Sequence, residues 1–249
     1  MDTCVLIVGG SGGIGSAVAA RLRAAGRQVA LVARDPDRLA EAGTRLGAPV
    51  FAADVLDPVA FAAAVERVEA EVGEIAGLVH AVGSIIIRPL HAVSLDDFRG
   101  TLDRNVTSAF IAMKTVMPKM MRRRHGSVVL FSTVATSIAL PNHEAIAAAK
   151  GAVEGLVRTA ALSYSRYGIR VNAVAPALTR TPLSASLWQN EKALAVSEAM
   201  HPLGRIGEAD DIAAAACYFL SPDAAWTTGQ ILGVDGGLGV GMAPPRVGP

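Results

Sequence analysis

A glycine-rich run, Gly9-Gly10-Ser11-Gly12-Gly13-Ile14-Gly15, lies between a short apolar segment, Thr3–Val8, and an Ala-rich helical pattern that ends at Gly26. Strand, glycine turn and helix in that order suit a phosphate. Glycines let the backbone approach a pyrophosphate, and the helix N-terminus supplies N–H groups and a positive dipole. The next strand, Gln28–Ala33, runs into Arg34 with no carboxylate before Asp35. An acid there would grip a ribose 2′-hydroxyl, whereas an Arg accommodates a 2′-phosphate. The pattern favours NADP(H) over NAD(H); the other reading is a surface Arg paired with Asp35 or Asp37. A second reactive stretch, Ser132–Gly151, places the hydroxyls of Ser132 and Thr133 after a strand, and Lys150 on a helix that begins near Ala145. Between them stands His143, and an imidazole is a competent proton donor. The reading its place favours is a capping or exposed histidine at a loop end. Asn105 interrupts a helical stretch where its propensity is poor, which gives it a tertiary task.

The elements that must hold these groups follow from periodicity. Strands are expected at Thr3–Val8, Gln28–Ala33, Val50–Ala53, Ile75–Val82, Gly126–Phe131, Gly168–Ala175 and Gln230–Val234, with helices between them. Ser94 is a predicted N-cap for a long helix running to about Arg123, with Asp96 and Asp97 complementing its start. A further helix covers Ala145–Tyr167, and the stretch from Pro176 to Met200 holds helical pieces. Alternating strands and helices with no repeat imply one doubly wound α/β domain over residues 1–240 and a tail over 241–249. Hydrophobic residues make up 51% of the 249 and charged ones 18%, enough apolar material for a large core. A net charge of +1 gives no electrostatic case for nucleic acid or an anionic membrane. The run Arg122-Arg123-Arg124 reads as a solvated helix end. Cys4 and Cys217 are far apart and lack metal-ligand spacing, which suits buried packing in a reducing cytoplasm. The first strand begins almost at once, with no signal peptide before it, and no run suits a bilayer, so a cytoplasmic protein is expected.

From Thr3 to Gly237 the chain resembles the short-chain dehydrogenase/reductase family, most closely its 3-oxoacyl-(acyl carrier protein) reductase-like members. Gly9-x-x-x-Gly13-Ile14-Gly15 matches the family's TGxxxGIG turn, with Val8 in place of its Thr. Asp54-Val55 matches the pair at the adenine ring, and Asn105-Val106 the Asn of the catalytic set. Val171–Pro176 matches the VNxVxPG segment, and Thr181 the Thr near the nicotinamide. PLGRIGEADDIA, the TGQ at 228–230 and VDGG at 234–237 complete the C-terminal third. The resemblance implies a Rossmann-type sheet of seven parallel strands with helices on both faces. It also implies cofactor contacts from Gly9, Ser11, Gly13, Ile14, Gly15, Arg34, Asp54, Val55, Ala81, Gly83, Lys150, Pro176 and Thr181. Catalysis would fall to Asn105, Thr133 and Lys150. A homo-tetramer or homo-dimer is implied as well, through the helices at 94–123 and 145–167 and the last strand.

Departures from the family pattern fall at the chemistry. His80-Ala81-Val82-Gly83 stands where the family has NNAG, and Ala177 replaces a Gly. The usual thirteen-residue Ser-to-Tyr spacing puts Thr133 at the active-site Ser, with Ser132 the alternative. In the Tyr-x-x-x-Lys signature Lys150 is present, but the Tyr position is Ile146. His143, three residues before Ile146 and seven before Lys150, is the one candidate substitute donor; seven is the Tyr-to-Lys spacing of the family's enoyl-reductase branch. The expected function is an NADP(H)-dependent carbonyl/alcohol oxidoreductase with an atypical site. The alternative is a cofactor-binding pseudoenzyme or structural subunit. Leu183, Leu187, Trp188 and Leu194 suggest an apolar substrate, or simply an amphipathic lid.

Overall fold

The computed structural model describes residues 3–241; the expected tail over Met242–Pro249 lies outside the described residues. The first half comprises β1 (Thr3–Val8), α1 (Gly13–Ala24), β2 (Gln28–Ala33), α2 (Pro36–Leu46), β3 (Val50–Ala52), α3 (Pro58–Glu71) and β4 (Glu74–His80). The chain continues through α4 (Leu95–Leu102), α5 (Ser108–Arg123), β5 (Gly126–Phe131), α6 (Glu144–Tyr164) and β6 (Ile169–Pro176). Next come β7 (Thr179–Arg180), α7 (Ala185–Trp188), α8 (Glu191–Met200), β8 (Gly207–Glu208), α9 (Ala209–Leu220) and β9 (Ile231–Val234). The main sheet has seven strands in the order β3-β2-β1-β4-β5-β6-β9, all parallel. This is the doubly wound Rossmann arrangement, as expected, with the crevice for ligands where the order reverses beside β1.

Local chemistry sets the boundaries. Asp35 accepts a hydrogen bond from the Arg38 amide and Asp57 from the amides of Val59 and Ala60, each just before a Pro at the helix start. Ser94 caps α4 through the Asp97 amide. Near-continuous apolar strands are buried on both faces, as a parallel sheet requires. One core layer packs Phe61, Val65 and Val68 of α3, Ala112 and Val116 of α5, and Val153 and Val157 of α6 against the sheet. The opposite layer is built from Val18 and Leu22 of α1, Leu39 of α2, and Ile212, Ala216 and Phe219 of α9.

Two features depart from the periodicity reading. The helix expected from Ser94 to Arg123 is broken at Asp103–Thr107 by a π-helical segment centred on Asn105. The Asn105 side chain donates to the Thr101 carbonyl at 2.9 Å, the group its own amide would use in a regular α-helix, and the Ser108 amide reaches back to Asp103. The second is a two-stranded parallel pairing of β7 with β8, which ties both ends of the α7–α8 excursion together. Two-residue strands leave no period to read. No helix among the described residues is long and apolar enough to cross a membrane.

Phe219 is fully buried where α9 meets the sheet. Phe219→Ala is expected to cost about 3–5 kcal/mol of stability, read as a lower urea midpoint at unchanged m-value.

Candidate functional site

The glycine turn follows β1 directly. Gly9 takes φ +85, and its amide donates to Val32 O at 2.8 Å, so the turn leans on β2. A Cβ on Gly9 would strike the Ala81 backbone at 2.8 Å, and one on Gly15 would lie 2.3 Å from Gly9 O. Only glycine lets the turn, the start of α1 and the end of β4 come this close. Helix α1 opens without a side-chain cap and without an acid in its first turn, unlike α2 or α4. Its first-turn N–H groups, capped by no side chain, and its positive end therefore suit an anion. Ser11 and Ile14 lie in and just beyond the turn, and Gly13 abuts Thr181, whose carbons lie 2.9 Å from where a Gly13 Cβ would sit.

Arg34 is exposed at the end of β2 and forms no ion pair with Asp35 or Asp37 among the described residues. The Asp35 side chain is used to cap α2 instead. Asp54 turns onto the Leu56 amide at 2.9 Å, and Val55 is buried beside it after β3. Ala81 and Gly83 follow β4, with the Ala81 amide donating to Val8 O at 2.7 Å.

A cavity of about 770 Å³ opens beyond these turns. Ile14, Ala81, Gly83, Asn105, Thr133, His143, Ile146, Lys150, Pro176 and Thr181 all line it. Lys150 is buried and donates to the Phe131 carbonyl at 2.8 Å; burial pushes its ammonium down to about 8. Ile146, one helical turn earlier on α6, is buried on the same face. The Asn105 amide nitrogen also reaches Ser84 Oγ at 3.2 Å, and Asn105 Oδ1 would lie 2.9 Å from a Cβ on Gly83. His143 is half-buried immediately before α6, with Nδ1 2.8 Å from Pro141 O.

The two candidate hydroxyls differ sharply. Ser132 donates to Glu154 Oε1 at 2.7 Å, and Thr136 reaches the same oxygen at 2.5 Å. Thr133 makes only long contacts, 3.4 Å to Pro176 O and 3.4 Å from the Ala135 amide. Thr133 thus keeps a hydroxyl free for a ligand, whereas Ser132 is held by the wall. Glu154 one turn past Lys150 escaped the sequence reading, because its partners lie 22 and 18 residues away. So did His201, which lines the cavity from the end of α8. It is buried, with Nδ1 2.6 Å from Ser197 O and no partner for Nε2.

The family model described as enoyl-(acyl carrier protein) reductase matches residues 9–239. The chain is 37% identical over 220 residues to a Xanthobacter autotrophicus protein named inactive 2-(S)-hydroxypropyl-CoM dehydrogenase 2, spanning 86% of this chain and 96% of that one. Over 235 residues it is 31% identical to the 3-oxoacyl-[acyl-carrier-protein] reductase of Escherichia coli, spanning 94% and 96%. A short-chain type dehydrogenase/reductase from Mycobacterium ulcerans superposes at a TM-score of 0.91 with 34% identity, covering 98% of this chain and 91% of that one. The gluconate 5-dehydrogenase from Burkholderia cenocepacia in complex with NADP and tartrate gives 0.91 with 30% identity, covering 97% of each chain. The chain belongs to the short-chain dehydrogenase/reductase family. Oxidoreductases of that family use NAD(P)(H) and act on alcohols and carbonyls.

His80, the last residue of β4, is buried with no partner for Nε2. Burial, reinforced by the nearby Lys150 charge, pushes its imidazole down from 6.5 to about 3. Between those two pH values the unfolded chain binds a proton that the folded one refuses, so stability falls as pH drops through the window. The stability of His80→Leu relative to the parent is therefore expected to rise as pH falls from 6.5 towards 3, measured by urea unfolding at successive pH values.

Proposed function

We propose that the protein is an NADP(H)-preferring oxidoreductase acting on a carbonyl/alcohol pair through an atypical proton-transfer site. The observation that carries this reading is the convergence of Asn105, Thr133 and Lys150 on one cavity that begins at the glycine turn. The bound dinucleotide would supply or accept the hydride. The uncapped start of α1 would hold its diphosphate, and Arg34, free of Asp35 and Asp37, its 2′-phosphate. Asp54 and Val55 would flank the adenine. Lys150 would grip the nicotinamide ribose from its seat on Phe131 O, and Thr133 would donate to the substrate oxygen. Asn105, fixed between Thr101 and Ser84, would hold the backbone of the π-helical segment open toward Lys150. Ile85, Ile87, Leu140, Leu183, Val196 and Met200 line the rest of the cavity and support an apolar substrate body. Exposed Phe110 on α5 and Leu162 on α6 support association of copies through these helices.

Proton transfer is the unusual step. Ile146 occupies the place of the family's Tyr and has neither a proton nor a lone pair. His143 is the donor this reading assigns, because its ring lines the same cavity. A cofactor-binding pseudoenzyme is the second reading, favoured by Ile146 itself and by the similarity to a relative named inactive.

A screen of NADPH oxidation over ketoacyl thioesters, ketones, quinones and enoyl thioesters separates the two. Slow turnover on one class, abolished in His143→Ala and raised in Ile146→Tyr by about 10²–10⁴-fold, the usual worth of a general acid, is the expected result. Tight NADPH binding with no turnover on any class, and activity appearing only in Ile146→Tyr, would instead establish the second reading. Cofactor preference is tested separately: Arg34→Ala is expected to weaken NADPH binding about tenfold, or about 1.4 kcal/mol, and to leave NADH binding unchanged.

A further inference from the structure

Among the described residues, the titratable side chains that line the cavity are His143, Lys150, Lys192 and His201, and no Asp or Glu lines it. A cleft whose charges share one sign and whose walls are apolar focuses its field on what enters. Three of these groups are already engaged within the protein. Lys150 is bound to Phe131 O, and His143 and His201 each hold a backbone carbonyl through Nδ1. Lys192 differs: it is exposed in the first turn of α8, and no ion pair involving it occurs among the described residues.

Its setting on the helix explains why it stays unpaired. Within α8 the residues three and four away are Ala195 and Val196, neither of them acidic. The adjacent Glu191 points to another face, since consecutive helical residues do not face each other. At the base of this excursion Glu208 is paired with Arg180 and Asp211 with Arg205. Lys192, Ala193, Val196, Ser197 and Met200 all line the cavity, which makes them one stripe of α8. Val196 is 64% exposed although it belongs to that wall, as is Leu183 at 55%. The stripe thus offers apolar contact along most of its length and one unneutralised cation at its N-terminal end.

We infer that the cavity takes an organic anion, an apolar body lying along Val196 and Met200 with its acid group on the Lys192 ammonium. This deepens the oxidoreductase reading by naming its substrate class, and it rests on that reading only for the word substrate. The anion site itself stands on the lining of the cavity.

Octanoate and its neutral isostere octanamide are suitable probes, titrated by calorimetry into the full-length protein with and without saturating NADPH. Octanoate is expected to bind about fivefold more tightly than octanamide, in keeping with an ion pair at an open rim. Lys192→Gln is expected to erase the difference, and Lys192→Glu to reverse it. As an exposed residue, Lys192 tolerates both changes without loss of fold, which circular dichroism checks. Equal binding of the two probes, no detectable octanoate binding, or a preference that survives in Lys192→Gln would overturn the inference. So would a Lys192→Gln variant that loses NADPH affinity and keeps the octanoate preference, since Lys192 would then serve the cofactor. NADPH binding, followed in the same samples by its fluorescence, keeps the two readings apart. An octanoate preference with no turnover on any carbonyl leaves the anion site standing and removes the oxidoreductase. Turnover of neutral ketones without an octanoate preference does the reverse.

Discussion

The close abutment of β1 and β4 is the constraint from which the site follows. Val8 and His80 stand side by side at the ends of these strands, and the Ala81 amide closes onto Val8 O at 2.7 Å. That contact leaves no room for a side chain at Gly9, and the same turn leaves none at Gly15. The glycine turn, the β4 loop and the start of α1 are thereby fixed as one rigid edge. Everything on the cavity's other side, from Thr133 to Lys150, is placed relative to that edge by the ladder from β4 to β5 to β6.

The cavity itself combines groups with opposing demands. Lys150 carries a charge into a buried place with one carbonyl as its partner among the described residues, and His80 stays neutral close by because burial and that charge both disfavour a second cation. Such an arrangement suits a ligand bearing oxygen atoms, which would meet the remaining ammonium protons. It gives no corresponding reason for Ile146, whose buried position would accept any well-packed apolar residue.

Much of the architecture was legible because the signals were local. The strands at Thr3–Val8, Gln28–Ala33 and Gly126–Phe131 are bounded by glycines or by turn residues, and the structure has the same limits. The capping role of Ser94 follows from residue type and spacing alone. What escaped was non-local or too short to have a period. The pairing of β7 with β8 involves two residues on each side, and the hold of Glu154 on Ser132 and Thr136 joins a helix to a loop across 22 and 18 positions. Spacing put Thr133 ahead of Ser132, and that contact adds a structural difference between the two hydroxyls. His201 carried no motif, and its buried, half-satisfied ring emerges only once α8 is seen folded back over the cavity.

The π-helical segment at Asp103–Thr107 has a geometric consequence that reaches past Asn105. One residue more than an α-helix would use is inserted, and each residue of a helix turns it by about 100°. The rods on either side are therefore out of phase, so α4 and α5 each choose their own buried face. Thr101 turns in under one, and Ala109, Ala112 and Val116 under the other. Removing a single residue there would straighten the helix locally and rotate the whole of α5 off the sheet. A segment read as a local irregularity thus acts as a phase coupler, tying the position of one polar side chain to the docking of a sixteen-residue helix.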